Sequence, residues 1–319
     1  MAGPGQNAAP LNLEAEVDSF EGGDSALGGE SFGSSTTLVE TSIMRHRHEN
    51  GRTYHSYKDG KYLLLNDEVR ATETNLIHQL TKIDLQHHLY LLTYDGQLSR
   101  VLDVGTGTGI WAIDYAPRSK VLGTDISPDQ PSYVPSNAKF EIDDPEEPWS
   151  FSEKFDYIHS RMMTGSFANW PKFFEQAFEN TTPAGYIEVS DICFPIRCDN
   201  DTLPADSSLV AWATQQLNGS GMIGRALDSA KNHEGELLRV GYTDVIVKHF
   251  VWPMNRWPKD PKFKEIGMWT CENFTSGLSG ISMALFTRVF GWTPEQLEVF
   301  LVDVRKEMKD PRIYAYWPM

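Results

Sequence analysis

Val101-Leu102-Asp103-Val104-Gly105-Thr106-Gly107-Thr108-Gly109-Ile110 is an apolar strand that breaks into a turn with glycine at alternate positions, then runs at once into a helical pattern. Glycine adopts left-handed backbone angles at no steric cost and lets a ligand approach the main chain, so such a turn reads as a ligand loop. A second apolar run, Val121-Leu122-Gly123-Thr124, ends in Asp125, twenty positions after Gly105. An acid at that strand tip suits a ribose diol, and the pair of tips marks a crevice at the carboxyl edge of a parallel sheet. The dinucleotide fingerprint G-x-G-x-x-G is not met, because Ile110 holds the third place and the glycine falls at 109. Ile110-Trp111-Ala112-Ile113 also puts bulk in the helix's first turn, where a pyrophosphate would need open backbone N–H groups. The spacing favours S-adenosylmethionine, which carries ribose and adenine but no phosphate.

Strand and helix patterns alternate outward from this loop, which implies a parallel sheet covered on both faces. Strands are predicted at about 100–105, 120–125, 139–142, 155–159, 186–190 and 244–250. Helices are predicted at about 66–92, 109–116 and 171–181. Residues 199–235 interrupt the alternation as a helical insertion over the open end of the sheet, and about 258–310 reads as a helical C-terminal region. The last helix carries its own start signal: Thr293 as N-cap, Pro294 at the first helical position and Gln296 at the capping-box position. A short final strand is expected over Ile313–Trp317.

Residues 1–38 are rich in Gly, Ser and acids, with no Lys or Arg among them, and read as a disordered tail. Residues 39–319 then form one domain with its core at about 98–254. The formal net charge of −16 argues against a nucleic-acid backbone or an anionic membrane surface as partner. No apolar stretch reaches transmembrane length, and the first residues lack the basic and apolar regions of a secretory signal. The three cysteines, Cys193, Cys198 and Cys271, form no C-x-x-C pair. A soluble protein of a reducing compartment, cytoplasmic or nuclear, is the expectation. No His/Cys/Asp group shows metal-ligand spacing, so no metal is predicted.

The chain resembles class I S-adenosylmethionine-dependent methyltransferases, and within them the fungal LaeA-like group. Glu49-Asn50-Gly51-Arg52-Thr53-Tyr54-His55, Asp84-Leu85-Gln86-His87-His88 and Val104 to Trp111 carry the likeness. Gly123 to Pro128, Phe140 to Asp144 and Phe155 to Arg161 continue it, over roughly residues 40–319. The resemblance implies a Rossmann-like sheet of seven strands, the last antiparallel, with an N-terminal helical extension. It implies methyl transfer, typically in fungal secondary metabolism. The group divides between enzymes acting on small molecules and regulators working with velvet-type nuclear proteins; a pericyclase or isomerase keeping the fold is a third reading. Two departures stand out. Pro183-Ala184-Gly185 replaces the usual Pro-Gly-Gly, and the chain stops at Met319 where the final strand of the group continues, so the last hairpin is expected to be incomplete or to close differently.

Asp103, Gly105, Thr106, Gly107 and Gly109 are expected around the methionine end of the cofactor. Backbone N–H groups there suit its carboxylate, and Asp103 suits its ammonium. Asp125, followed by Ile126, is the ribose partner, and Asp143 or Asp144 accepts from the adenine amino group. Trp149 is a candidate to stack on adenine. His159 and Arg161, just past the fourth strand, lie where the transferring methyl is expected; His159 is the candidate general base if the acceptor must lose a proton. Tyr54 and Tyr57 are candidate lid residues. An O- or N-nucleophile on an apolar small molecule is the expected acceptor. Its pocket is expected from the insertion and from Trp252, Trp257, Phe263, Trp269 and Phe274.

Overall fold

The computed structural model describes residues 47–49, 52–54, 68–85, 88–91 and 98–319. The expected tail at 1–38 and Tyr57 lie outside the described residues.

The centre is a five-stranded parallel sheet of β3 (Arg100–Val104), β4 (Lys120–Asp125), β5 (Ala138–Ile142), β6 (Phe155–Arg161) and β7 (Thr181–Ser190), in the order β5-β4-β3-β6-β7. β3 is the middle strand. Val101, Leu102 and Val104 are all buried, as expected of a strand covered on both faces. Alternation sends Val101 to one face, against Trp111 and Tyr115 of helix α2 (Ile110–Tyr115), and Leu102 and Val104 to the other, against Phe173 and Phe174 of helix α3 (Trp170–Glu179).

A second layer of helices stands over the carboxyl edge. It comprises α1 (Glu68–Asp84), α4 (Ser208–Met222), α6 (Pro261–Arg288) and α7 (Pro294–Lys309). The predicted capping box of α7 is formed: Thr293 accepts from the Gln296 N–H, and Gln296 reaches back to the Thr293 N–H. Helix α5 (His233–Val240) packs against α3, while Arg288 of α6 binds Glu49 of the small hairpin β1–β2 (Arg47–Glu49, Arg52–Tyr54). The layer shares one apolar core with β8 (Val251–Pro253) and β9 (Tyr316–Pro318), in which Trp212, Trp252, Phe286 and Trp317 are fully buried. At Gly267 of α6 an added Cβ would overlap the Asn255 carbonyl, so helix and β8 loop are in backbone contact.

Four expectations need correction. Five strands, not seven, form the sheet among the described residues. The run Asp244–Phe250 is not a strand: Asp244 takes a left-handed φ of 54°, and Ile246 is 79% exposed. β-Branched content makes a strand only where a partner and a buried face exist. The antiparallel pairing expected at the end of the sheet occurs apart from it, between β8 and β9, and is completed by reciprocal bonds between Phe250 and Met319. Finally, α1 ends at Asp84, short of residue 92, because Lys262 takes the Asp84 carbonyl and Trp252 donates to its carboxylate.

The Pro-Ala-Gly departure has a visible consequence. β6 pairs Phe155 with Thr181 and Tyr157 with Tyr186, so residues 182–185 bulge from β7. Ala184 there sits at φ 63°, where a Cβ meets its own carbonyl. Ala184→Gly is expected to raise unfolding stability by about 1 kcal/mol in urea titration. A loss of stability would contradict the left-handed turn.

Candidate functional site

The chain leaves β3 for β4 and β5 on one side, then returns to lay β6 against the other side of β3. That reversal opens a crevice beyond the carboxyl ends of β3 and β6. The glycine loop fills its floor, with Gly105, Gly107 and Gly109 all left-handed at φ 71°, 57° and 75°. The loop is bound to the tip of β4: Gly105 and Thr106 both donate to the Thr124 carbonyl, at 2.9 and 3.0 Å. An added Cβ would overlap Met163 at Gly105 and Phe140 at Gly109 and Gly123. The glycines are therefore required by protein packing as well as by any ligand. The N–H groups of Gly105 and Thr106 are committed to the sheet, which corrects the expectation that they serve a ligand carboxylate.

Asp125 stands at the β4 tip with one oxygen accepting from Gly107 N–H at 2.8 Å and the other from Ser127 N–H at 3.0 Å. Burial pushes its carboxyl up to about 6, against the pull of those two amides. A carboxylate has about four acceptor sites, so each oxygen can take one further donor. Two donors on adjacent carbons, as in a ribose diol, fit that remainder. Ile126, partly exposed, follows directly. Gln130, which nothing in the sequence marked, ties this corner together by donating to the carbonyls of Gly107 (2.6 Å) and Ser127 (2.9 Å).

The other predicted residues fall into two groups. Asp103 is 2% exposed and takes Thr106 Oγ1 at 2.6 Å on one oxygen and His159 Nδ1 at 2.7 Å on the other. His159 lies opposite Asp103 in the β3–β6 register, and its ring stacks on Trp111 at 3.7 Å. Both brace the seam beneath the loop. Arg161 is half-buried, and desolvation lowers its pKa. It donates to His78 Nδ1 at 3.2 Å, which makes that nitrogen the acceptor and leaves Nε2–H to donate to Asp114 at 3.0 Å. Arg161 thus holds α1 over the crevice through His78. At the β5 tip, Asp143 accepts from Asp144 N–H and Asp144 from Glu146 N–H, so both carboxylates shape the turn beside Asp125. Trp149 is packed on Phe151 and Phe173, away from the predicted stacking role. Tyr54 ends β2.

α1 supplies the roof of the site. Thr74 lies against Gly107, and Asn75 accepts from Thr108 Oγ1 at 2.9 Å. Beyond the loop, between α1, α4, α6 and the segment after β6, is an apolar cavity of about 150 Å³. Of the five aromatics expected to line it, only Phe274 does. Trp252 is core; Trp257 stacks on Tyr314 and donates to Ala315; Phe263 is on the surface; Trp269 packs against the helical core. Met163 joins the two halves: it packs on Gly105, while its neighbours Met162, Thr164 and Gly165 line the cavity. Among the described residues no group of three His, Cys, Asp or Glu could hold a metal, and no helix is long and apolar enough to cross a membrane.

A family model described as a methyltransferase domain matches residues 75–245. The chain is 36% identical to the methyltransferase pytC of Aspergillus terreus over 287 residues, 88% of each chain. It is 34% identical to the secondary metabolism regulator LAE1 of Cochliobolus heterostrophus, covering 84% of this chain and 91% of that one. Among solved structures, the phosphoethanolamine N-methyltransferase 2 of Haemonchus contortus aligns over 89% of this chain and 71% of its own, with 15% identity and a TM-score of 0.44.

The His78 bridge has a pH signature. Burial, then the Arg161 charge, lower its pKa from 6.5 to about 4. His78 stays neutral in the fold while the unfolded chain gains a proton below 6.5, so stability present above pH 6.5 is lost as pH falls toward 4. The loss is about 3 kcal/mol at about 1.4 kcal/mol per unit. Urea titrations of the natural chain and His78→Gln are expected to diverge over that window, with the variant the less acid-sensitive. Parallel curves would contradict the bridge.

Proposed function

We propose, from the premise that this chain belongs to the methyltransferase-domain family in its fungal LaeA-like group, that it transfers a methyl group from S-adenosylmethionine to an O or N atom of a small molecule. The observation that carries the small-molecule reading is Met163, at the joint between the glycine loop and the apolar cavity. A nucleoside held at the loop and an acceptor held in the cavity meet at that joint.

Asp125 takes the ribose hydroxyls, and Asp143 or Asp144 takes the adenine amino group. The cofactor supplies a methyl carbon activated by its sulfonium. The protein's work is then to hold the acceptor in line and keep water out, which can account for much of the acceleration. Asp103, His159 and Arg161 serve this by fixing the loop and α1. The name of the relative pytC, a methyltransferase, supports this reading. A second reading, a regulator acting through protein partners of the velvet type, is favoured by the name of LAE1. Methyl-labelled cofactor added to extract of the source cells distinguishes them. Label in organic-soluble small molecules is expected; label only in protein would overturn the small-molecule reading.

Asp125→Ala is expected to weaken S-adenosylhomocysteine binding by at least about tenfold in calorimetry, since charge-assisted bonds to both ribose hydroxyls go. Affinity in the natural chain is also expected to fall as pH drops through about 6, where the Asp125 carboxylate takes up its proton. Asp125→Asn removes that slope. Unchanged affinity in Asp125→Ala would contradict the ribose assignment.

A further inference from the structure

Gln216 of α4 lies in the wall of the apolar cavity and is 3% exposed. One helical turn earlier on the same face is Trp212, and both side chains reach Ser282 of α6. Ser282 has one hydroxyl proton, and it goes to the Leu278 carbonyl at 2.6 Å. Its oxygen therefore accepts, from Trp212 Nε1–H at 2.9 Å and from Gln216 Nε2–H at 3.4 Å. Gln216 Nε2 also donates to the Ile281 carbonyl at 3.0 Å. A flipped amide would set its oxygen against two acceptors, so this network fixes the orientation. The amide oxygen, Oε1, then has no hydrogen-bond partner among the described residues, and it is not sealed off in the packing. The surface it keeps opens on the cavity that Gln216 lines. An amide oxygen in an apolar wall is costly without a donor, and a ligand O–H or N–H relieves that cost. The hydroxyls of Thr164 and Ser220 agree: they spend their protons on the Ile192 and Leu217 carbonyls, at 2.7 and 2.9 Å, and keep lone pairs. The two charged lining residues, Arg225 and Glu73, are both engaged within the protein, Arg225 with Glu146 at 3.1 Å.

We propose that Gln216 determines which methyl acceptor the cavity admits: an apolar, uncharged molecule that presents an O–H or N–H to the Gln216 amide oxygen. The inference rests on the methyltransferase reading above and adds the acceptor's chemistry to it. A cavity of about 150 Å³ accommodates one aromatic ring or an aliphatic group of that size. An ether or tertiary amine of the same shape fills the space but leaves Oε1 without a donor. A charged group of either sign gives up its hydration for walls formed largely by apolar side chains such as Ile192, Phe274 and Leu285.

Two pairs of one-ring probes test this: phenol with anisole, and aniline with N,N-dimethylaniline, titrated by NMR into the full chain with and without S-adenosylhomocysteine. Phenol and aniline are each expected to bind about fivefold more tightly than the methylated partner, the worth of one neutral hydrogen bond. Gln216→Met, close in volume but without the amide, is expected to abolish both preferences while anisole still binds. Equal affinities within each pair in the natural chain, failure of every probe to bind, or preferences that survive in Gln216→Met would overturn the proposal. So would an equal fall of all four affinities in the variant, which marks a structural role only. If the methionine variant does not fold, a crystal of the natural chain soaked in phenol decides. The hydroxyl is expected within hydrogen-bonding distance of Gln216 Oε1, and a hydroxyl turned elsewhere overturns the proposal. Failure of S-adenosylhomocysteine to bind with both preferences intact would instead overturn the cofactor assignment and leave the cavity's preference for donors standing.

Discussion

The structure depends on how closely one backbone approaches another. The loop from Gly105 to Gly109 lies directly on the tip of β4, with two of its amides on the Thr124 carbonyl and a third on Asp125. Met163 and Phe140 close over the places where side chains would project. That contact fixes the carboxylate of Asp125 in a buried position and holds its oxygens toward donors of fixed spacing. It also sets the height of β6 against β3, through Asp103 and His159 facing each other across the register. Disturbing the loop would move the ribose site, the strand seam and the cavity entrance together.

The roof is tied to the floor by polar links running through α1. Arg161 at the β6 tip, His78 and Asp114 form a line of hydrogen bonds from the sheet, through the extension, to the helix after the loop. Thr108 and Asn75 make a second link at the loop itself. An extension preceding the sheet in sequence is thus part of the site in space. The same helix lines the cavity with Glu73, five residues before His78, so a single element bears on both the loop and the cavity.

Much of this was legible in the residues, because local pattern and tertiary role coincide there. The strands from Arg100 to Ser190, the glycine loop and the capped helix α7 follow from period, turn chemistry and caps, which the fold does not override. The sixth-strand expectation failed at Asp244–Phe250, where β-branched residues have no neighbouring edge to bind and Ile246 and Val247 lie exposed. The pairing of Asp103 with His159 was not legible, because they meet across adjacent strand tips, and pairing across a register is invisible in one sequence. The bonds from Gln130 to Gly107 and from His78 to Asp114 carried no local signal, since each joins residues distant along the chain. The aromatics from Trp252 to Phe274 show that composition cannot separate core, surface and pocket: Trp252, Trp257 and Trp269 pack within the protein, Phe263 is on the surface, and Phe274 lines the cavity.

The central claim is that one crevice holds a nucleoside at Asp125 and opens, past Met163, into a cavity for the molecule it modifies. A crystal structure of the chain with S-adenosylhomocysteine tests this most directly. The account predicts both ribose hydroxyls within hydrogen-bonding distance of the Asp125 carboxylate and the sulfur turned toward the cavity beside Met162. A nucleoside bound elsewhere, or one whose sulfur faces away from that cavity, would contradict it.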